Sequence, residues 1–292
     1  MALLIPFAEV AMAQETKPPA QFVPALNALC GSGRELAAGC DEVKARAIVD
    51  AGVYPWSAIG RLNFSAYRVR RYCTATLIGE RFVLTSAHCL YVGPYIGWVD
   101  PEDLHFLAGY QRGGYSAHST GAKIYLPDED GETRPFDYDP GDDWAIVELS
   151  DAIGAEVGYL GLSALDESEL ENALARGGRI VVAGYPHVRE HVLSVDEDCG
   201  MTGFLNDNRL FAHECAVMAG DSGAPVLLME GGKVSIIAVH SGAGVGEDGF
   251  IRLATPVGEM LDAARRLRAG DQQSADESGR AGLPGRAPEK AK

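Results

Sequence analysis

The stretch Ala219-Gly220-Asp221-Ser222-Gly223-Ala224-Pro225 places a single serine between two glycines and directly after an acid. Glycine tolerates positive φ angles and close approach of the backbone to a ligand, so the Ser222 hydroxyl can be reached from outside. The same geometry lets the amides of Gly220 and Ser222 converge on one point and hold an oxyanion. Taken alone, the stretch is equally compatible with an ordinary Gly/Asp/Ser turn.

A histidine and an acid upstream each stand at the edge of a strand-like run. The run Phe82-Val83-Leu84-Thr85-Ser86-Ala87-His88-Cys89 ends in a histidine, and the acids Asp142 and Asp143 precede the apolar run at 144–149. A carboxylate that enters a buried strand needs a partner, and an imidazole N–H is a suitable one. A serine becomes nucleophilic when a base takes its proton and a third group fixes the tautomer of that base. The three motifs together therefore predict nucleophilic acyl transfer, whereas each alone also fits a surface or loop residue.

The rest of the chain is dominated by short apolar or alternating runs bounded by Gly, Pro, Asp or Asn, which is typical of antiparallel sheets and barrels. A segment with helical periodicity at 163–176 separates two β-rich halves, and a second one at 256–269 is expected to form a C-terminal helix. The predicted strands lie at residues 57–63, 72–78, 82–85, 104–108, 123–126, 145–149, 179–183, 191–195, 209–213, 225–229, 234–241 and 250–253.

Composition excludes several classes of function. The 292 residues are 47% hydrophobic and carry a formal net charge of −16, which argues against a nucleic-acid partner because phosphate binding needs clustered basic surface. No apolar run reaches the roughly 18 residues that span a membrane. Residues 1–13 are apolar and end in Ala11-Met12-Ala13, which resembles a signal-peptide cleavage site although no basic residue precedes the run.

The six cysteines form an even set, which is compatible with three disulfides and a secreted or periplasmic location. The candidate pairs are Cys73 with Cys89, Cys199 with Cys215, and Cys30 with Cys40. A zinc site at Cys199, Cys215 and nearby His213 is an alternative without paired ligand spacing. The acidic segment 128–132 could bind calcium, but it lacks the ligand spacing of a known loop. Neither a metal nor a cofactor is expected.

Four strings resemble those of the trypsin/chymotrypsin-like serine endopeptidases, in particular the bacterial branch that includes the V8-like glutamyl endopeptidases. They are Cys73-Thr74-Ala75-Thr76-Leu77-Ile78, Thr85-Ser86-Ala87-His88-Cys89, Asp143-Trp144-Ala145-Ile146 and Gly220-Asp221-Ser222-Gly223-Ala224-Pro225. The resemblance implies an all-β fold of two antiparallel six-stranded β-barrels with a C-terminal helix. It also implies that His88 is the general base, Asp143 its orienting acid and Ser222 the nucleophile, with the amides of Gly220 and Ser222 as the oxyanion hole. The substrates would be proteins or peptides.

The resemblance also informs the substrate pocket. Specificity for Lys or Arg needs an acid six positions before the nucleophile, and Ala216 stands there. Val239-His240-Ser241-Gly242 resembles the pocket wall of glutamyl endopeptidases, in which a histidine helps to hold an acidic side chain. Val217 and Ala219 replace residues that often carry hydroxyls in that group. The expected P1 residue is therefore not basic, and both an acidic and a small or apolar residue remain open.

The expected domain organisation starts with a signal peptide at 1–13 and a leader or pro-segment at 14–47. The protease domain then covers 48–268, with barrel one at about 53–150, a linker at about 151–178, barrel two at about 179–256 and a helix at 257–268. A disordered tail is expected at 269–292. In trypsin-type relatives, cleavage frees an Ile-Val amine that pairs with the acid before the serine. Ile48-Val49 and Asp221 suggest the hypothesis that cleavage near Ala47 activates the chain.

Two other functions share features with this sequence. An α/β-hydrolase esterase would show Gly-x-Ser-x-Gly and the order Ser, Asp, His, but Ala224 follows two residues after Ser222 and the order here is His, Asp, Ser. A catalytically silent binding module on a protease fold is the other alternative. Such a module usually lacks a member of the triad, and this sequence has all three.

Overall fold

The computed structural model describes residues 40–66, 69–93, 95–127, 139–246 and 249–281. Within these ranges the chain forms four α-helices and fifteen β-strands. The helices are α1 (Cys40–Ala45), α2 (Gly154–Val157), α3 (Glu167–Ala175) and α4 (Leu261–Ala281). The strands are β1 (Ala47–Ile48), β2 (Ile59–Ala66), β3 (Val69–Leu77), β4 (Phe82–Thr85), β5 (Leu104–Ala108), β6 (Ala117–Tyr125), β7 (Ala145–Leu149), β8 (Gly161–Leu162), β9 (Arg179–Gly184), β10 (Ser194–Cys199), β11 (Met201–Leu205), β12 (Leu210–His213), β13 (Pro225–Glu230), β14 (Lys233–Gly246) and β15 (Gly249–Pro256).

The first half is a closed antiparallel barrel of six strands in the order β2-β3-β4-β7-β6-β5. Its strands bury alternate or successive apolar residues: all four residues of β4 are buried, and β5 alternates between buried and more exposed positions. Since a period of two puts alternate side chains on one face, this pattern fills the barrel interior. The predicted first barrel is confirmed.

The second half is a nine-stranded sheet in the order β1-β10-β9-β13-β14-β15-β12-β11, in which β8 pairs with β14. The pairing is antiparallel except for the short β8–β14 ladder. The second half is antiparallel, as predicted, and forms a nine-stranded sheet where a six-stranded barrel was expected. The additional strands are the two-residue strands β1 and β8 and the five-residue strand β11.

One hydrophobic cluster joins the two halves. It contains barrel residues such as Leu84 and Ile146 together with Tyr185, Leu227 and Val239 from the second sheet. A smaller cluster under α3 contains Leu170, Phe211 and Val226 among others. Because the larger cluster is shared, the edges of the two halves that carry the motifs are held in a fixed relation.

The helices lie outside the sheets. Helix α3 begins with a capping box in which Asp166 accepts from the Glu169 amide and the Glu169 side chain accepts from the Asp166 amide. Helix α4 starts at Leu261, later than the predicted 257, and continues to Ala281 rather than ending at 268. Asp271 in this extension forms an ion pair with Arg81 at 2.9 Å.

None of the helices in the described ranges is long and apolar enough to cross a membrane. Several predictions fall on residues outside those ranges: the signal peptide at 1–13, most of the leader at 14–47, the acidic segment 128–132, and Cys30. Cys40 is disulfide-bonded.

Candidate active site

His88 lies on a short 3-10 helix that follows directly on strand β4. This helix, Ala87–Leu90, is linked to strand β3 by the disulfide between Cys73 and Cys89. The predicted pairing of these two cysteines is confirmed. The covalent link restrains the turn that presents His88 at the end of the barrel.

Asp143 holds His88 at two points. Its Oδ2 lies 2.7 Å from His88 Nδ1, and its Oδ1 accepts the His88 main-chain amide at 2.8 Å. The Asp143 side chain is fully buried, whereas the His88 side chain is 30% exposed. A carboxylate on Nδ1 favours the tautomer that leaves Nε2 free to accept a proton. The pairing predicted from the motifs is therefore present.

The neighbouring acid Asp142 has a different partner. Arg209 binds Asp142 Oδ1 at 2.6 Å and Asp139 Oδ2 at 3.2 Å, and it approaches Glu259 at 3.6 Å. These groups are partly exposed, so each pair contributes little to stability on its own. Together they tie the loop before Asp143 to the second half of the molecule.

The loop that carries Ser222 lies directly against the turn that carries His88. The carbonyl oxygen of Ser222 accepts the amide of Thr74 at 2.9 Å. Gly223 has a φ of +79°, and a Cβ atom there would lie 2.2 Å from Thr85 Oγ1 and 2.3 Å from the Thr74 carbonyl oxygen. Only glycine fits this contact. Gly223, the residue after Ser222, therefore lies beside Thr85, which is three positions before His88.

The turn before Ser222 leaves two amides available. Gly220 has a φ of +99°, and the carbonyl oxygen of the preceding Ala219 accepts the amide of His187 at 2.7 Å. The Asp221 amide donates to the Met218 carbonyl oxygen at 2.9 Å. Among the described residues, neither the Gly220 amide nor the Ser222 amide has a protein acceptor. These two donors are the pair expected to form an oxyanion hole.

Asp221 points inward and is bound by Arg46, a contact that sequence reasoning missed. Arg46 Nη1 lies 2.7 Å from Asp221 Oδ2, and both side chains are buried. Burial raises the pKa of the Asp221 carboxyl, and the Arg46 guanidinium opposes that rise.

The predicted pocket residues are spread over a loop and a strand. Ala216 is buried and its amide donates to Asp196 Oδ2 at 2.7 Å. Val217 is partly buried against the smaller cluster, and Ala219 is exposed. The disulfide between Cys199 and Cys215 braces the base of this loop, as predicted. Since both sulfurs are in a disulfide, neither is a thiolate ligand for the alternative zinc site with His213.

His240 is a buried residue on strand β14. Its Nδ1 lies 3.2 Å from His213 Nε2. Burial lowers the pKa of both residues, to about 3 for His213 and well below its ordinary value for His240. Both imidazoles are therefore neutral at pH 7. The adjacent Ser241 is buried, with its hydroxyl 3.3 Å from the Leu253 carbonyl oxygen, and Gly242 is partly exposed.

A family model described as Trypsin matches residues 49–264 of the sequence. The chain belongs to the trypsin family. It is 24% identical over 225 residues to the glutamyl endopeptidase of Bacillus licheniformis, a match that covers 74% of this chain and 64% of that protein. The chain thus spans just under two thirds of the length of this relative.

Two solved protease structures have a fold similar to that of this chain. A Glu endopeptidase in complex with MPD superposes with a TM-score of 0.58 at 18% identity, over 77% of this chain and 96% of that one. A thermostable serine protease, AL20 from an extremophilic microorganism, gives 0.57 at 17% identity, over 73% and 97%. At these identities the likeness is evidence for the fold of this trypsin-family chain.

Proposed function

We propose that this trypsin-family chain is a serine endopeptidase that cleaves peptide bonds through an acyl-enzyme. The observation that carries the proposal is the two-point hydrogen bonding of Asp143 to His88 beside the loop of Ser222. A buried carboxylate that orients an imidazole, next to a serine on a glycine-rich turn, is the arrangement needed for nucleophilic acyl transfer.

In the proposed reaction, Ser222 Oγ attacks the carbonyl carbon of the scissile bond while its proton passes to His88 Nε2. The imidazolium that forms is stabilised by Asp143. His88 then gives this proton to the leaving amine, and the C–N bond breaks to leave an ester on Ser222. A water molecule, deprotonated by the same imidazole, hydrolyses the ester and restores the serine.

The developing oxyanion would be bound by the amides of Gly220 and Ser222. Two amides without protein acceptors on one turn are pre-organised donors, so they need no rearrangement as charge develops. The main-chain amide of His187 donates a hydrogen bond to the carbonyl oxygen of Ala219. This bond supports the role of the Gly220 amide, because it fixes the orientation of the peptide group between Ala219 and Gly220.

For the P1 side chain, we propose a preference for small or apolar residues. Ala216 provides no charge where a basic P1 residue would need one, and Val217 and Ala219 provide no hydroxyl. The neutral His213–His240 pair presents no fixed positive charge to a substrate carboxylate.

Acidic P1 preference is the second candidate, and two observations favour it. His240 stands in the strand that the resemblance assigns to the pocket wall, and the relative matched over 74% of the chain is a glutamyl endopeptidase. A matched set of peptides with Ala, Val, Leu, Gln, Glu or Lys at P1 discriminates the two. Cleavage after Glu at least about tenfold above Gln, a difference of roughly 1.4 kcal/mol, would establish the acidic preference.

A fluorophosphonate probe tests the enzyme proposal itself. It should label the wild-type chain at Ser222 and fail to label Ser222→Ala, and the same variant should not cleave any peptide of the panel. Absence of labelling in a folded wild-type chain would instead favour the catalytically silent binding module.

The location and partners follow from the same proposal. Disulfides persist in oxidising compartments, so the two described disulfides support a secreted or periplasmic protein. The substrates are then extracellular or periplasmic proteins and peptides. The signal peptide at 1–13 is part of this proposal.

A further inference from the structure

Asp221 links the candidate nucleophile to the interior of the second sheet. Its Oδ2 accepts the Met218 amide at 3.1 Å, its own amide donates to the Met218 carbonyl oxygen at 2.9 Å, and its carbonyl oxygen accepts the Ala224 amide at 2.8 Å. The turn that contains Gly220 and Ser222 is therefore closed around this carboxylate. A buried carboxylate without a cation is strongly unfavourable and would move toward water, which would open the turn.

Arg46, which lies 175 positions before Asp221 in the sequence, supplies that cation. Besides Asp221, its guanidinium donates to the carbonyl oxygens of Ala216 at 3.3 Å, Gly184 at 3.4 Å and Ser194. It thus contacts the loop before Ser222 and the ends of strands β9 and β10. The side chain is 1% exposed, so the contact belongs to the interior of the molecule.

The backbone of Arg46 is itself fixed. Arg189 donates to the Arg46 carbonyl oxygen at 2.6 Å and to the Lys44 carbonyl oxygen. Ala47 and Ile48 pair with Val195 and Ser194 as strand β1 on the edge of β10. The segment around Arg46 is therefore an integrated part of the second sheet.

We infer that Arg46 is a positioning residue that, in the uncut chain, holds the Ser222 loop in its reactive form through Asp221. This inference rests on the proposed peptidase function. In trypsin-type relatives the acid before the serine pairs with an amine that cleavage frees, and the sequence resemblance gave this role to the amine of Ile48. The inference assigns the pairing with Asp221 to the guanidinium of Arg46 instead. Cleavage at Ala47 separates Arg46 from strand β1 and is therefore not an activating step.

The experiment measures the rate of fluorophosphonate labelling at Ser222 and the values of kcat and KM, using the full chain with an intact mass recorded for the labelled product. The labelled product should retain the bonds between Arg46 and Ile48. Arg46→Met should lower the labelling rate and kcat by about 100-fold or more, since misplaced oxyanion donors cost that much. Arg46→Lys keeps the charge and should restore most of the rate. Arg176→Met, which removes an exposed arginine paired with Glu230, is the control and should behave as the wild type.

Arg46→Met leaves a buried carboxylate without a cation and can fail to fold. The double variant Arg46→Met/Asp221→Asn removes both charges and therefore leaves no unpaired charge in the interior. We expect a cooperative thermal unfolding transition, which shows that this variant is folded, and a rate of fluorophosphonate labelling about 100-fold below that of the wild type. Labelling of this double variant at the wild-type rate would overturn the inference. So would labelling that occurs only in molecules cleaved at Ala47. If neither cut nor uncut wild-type chain is labelled, the proposed peptidase function fails as well.

Discussion

Ser86 Oγ donates a hydrogen bond to the carbonyl oxygen of His240 at 2.9 Å. Ser86 belongs to the first barrel and lies two residues before His88, whereas His240 belongs to strand β14 of the second sheet. The same carbonyl oxygen accepts the Gly223 amide at 2.8 Å. One oxygen atom thus ties the turn of the candidate base to the loop of the candidate nucleophile, across the junction of the two halves.

Ser86→Ala should therefore affect the alignment of His88 and Ser222 more than the binding of substrate. Loss of one buried hydrogen bond should lower the free energy of unfolding by about 1 kcal/mol and kcat by about tenfold, with KM nearly unchanged. Peptide hydrolysis and thermal unfolding measure both effects. Ser150→Ala, an exposed serine bonded to Thr120, is the control, and an equal fall in kcat for the two variants would contradict the prediction.

Asp143→Asn tests the orienting carboxylate. An amide NH₂ facing His88 Nδ1 favours the tautomer with a protonated Nε2, which cannot accept the serine proton. The expected fall in kcat is about ten-thousand-fold, with little change in KM.

Asp142→Asn is the matched control for that substitution. Asp142 is exposed and binds Arg209, so its loss should change kcat by less than about fivefold. Equal effects of the two substitutions would mean that Asp143 does not have the assigned role.

Gly223→Ala tests the close contact beneath the Ser222 loop. A methyl group there meets Thr85 Oγ1 and the Thr74 carbonyl oxygen, so the loop must move away from the His88 turn. We expect a rate of fluorophosphonate labelling at least about 100-fold below that of the wild type, since a displacement of about 1 Å from reactive geometry costs this much.

Gly232→Ala is the control that distinguishes a steric contact at the new Cβ atom from the strain of a positive φ angle. Gly232 has a φ of +77°, close to the +79° of Gly223, but a Cβ atom there meets no atom within 4 Å. It should cost about 1–2 kcal/mol of stability and leave the labelling rate unchanged. A similar loss of labelling in both variants would show that strain, rather than the contact with the barrel, is responsible.

The strands with clear local signals could be predicted from the sequence. The bounds of β4, β5 and β7 coincide with the predicted runs, because most residues of each run are apolar. Strand β11 was missed because it is a partly exposed strand at the edge of the sheet, with one buried residue in five. Only the last part of β6 was predicted, since its first residues, Ala117-His118-Ser119-Thr120-Gly121, are small or polar.

The candidate site likewise contains residues that the sequence identifies and contacts that it does not. His88, Asp143 and Ser222 stand in recognisable local motifs, so the sequence identified them. The Arg46–Asp221 pair joins residues 175 positions apart, and no local pattern encodes a contact of that kind. The pairing of His213 with His240 was equally hidden, because it depends on the register of three adjacent strands, β12, β15 and β14.

The buried His213–His240 pair should make the protein less stable in acid. The pKa of His213 is lowered by burial to about 3 in the folded chain, whereas an unfolded histidine titrates near 6.5. Between pH 3 and pH 6.5 the unfolded state binds one more proton at this histidine than the folded state does. The stability that the neutral His213 contributes is therefore complete above pH 6.5 and is lost as the pH falls toward 3.

Denaturant unfolding of the wild type and of His213→Gln at several pH values measures this effect. Inside this window, the free energy of unfolding of His213→Gln should change less steeply with pH than that of the wild type, by about 1.4 kcal/mol per pH unit. An unchanged slope in His213→Gln would mean that His213 is not buried in its neutral form.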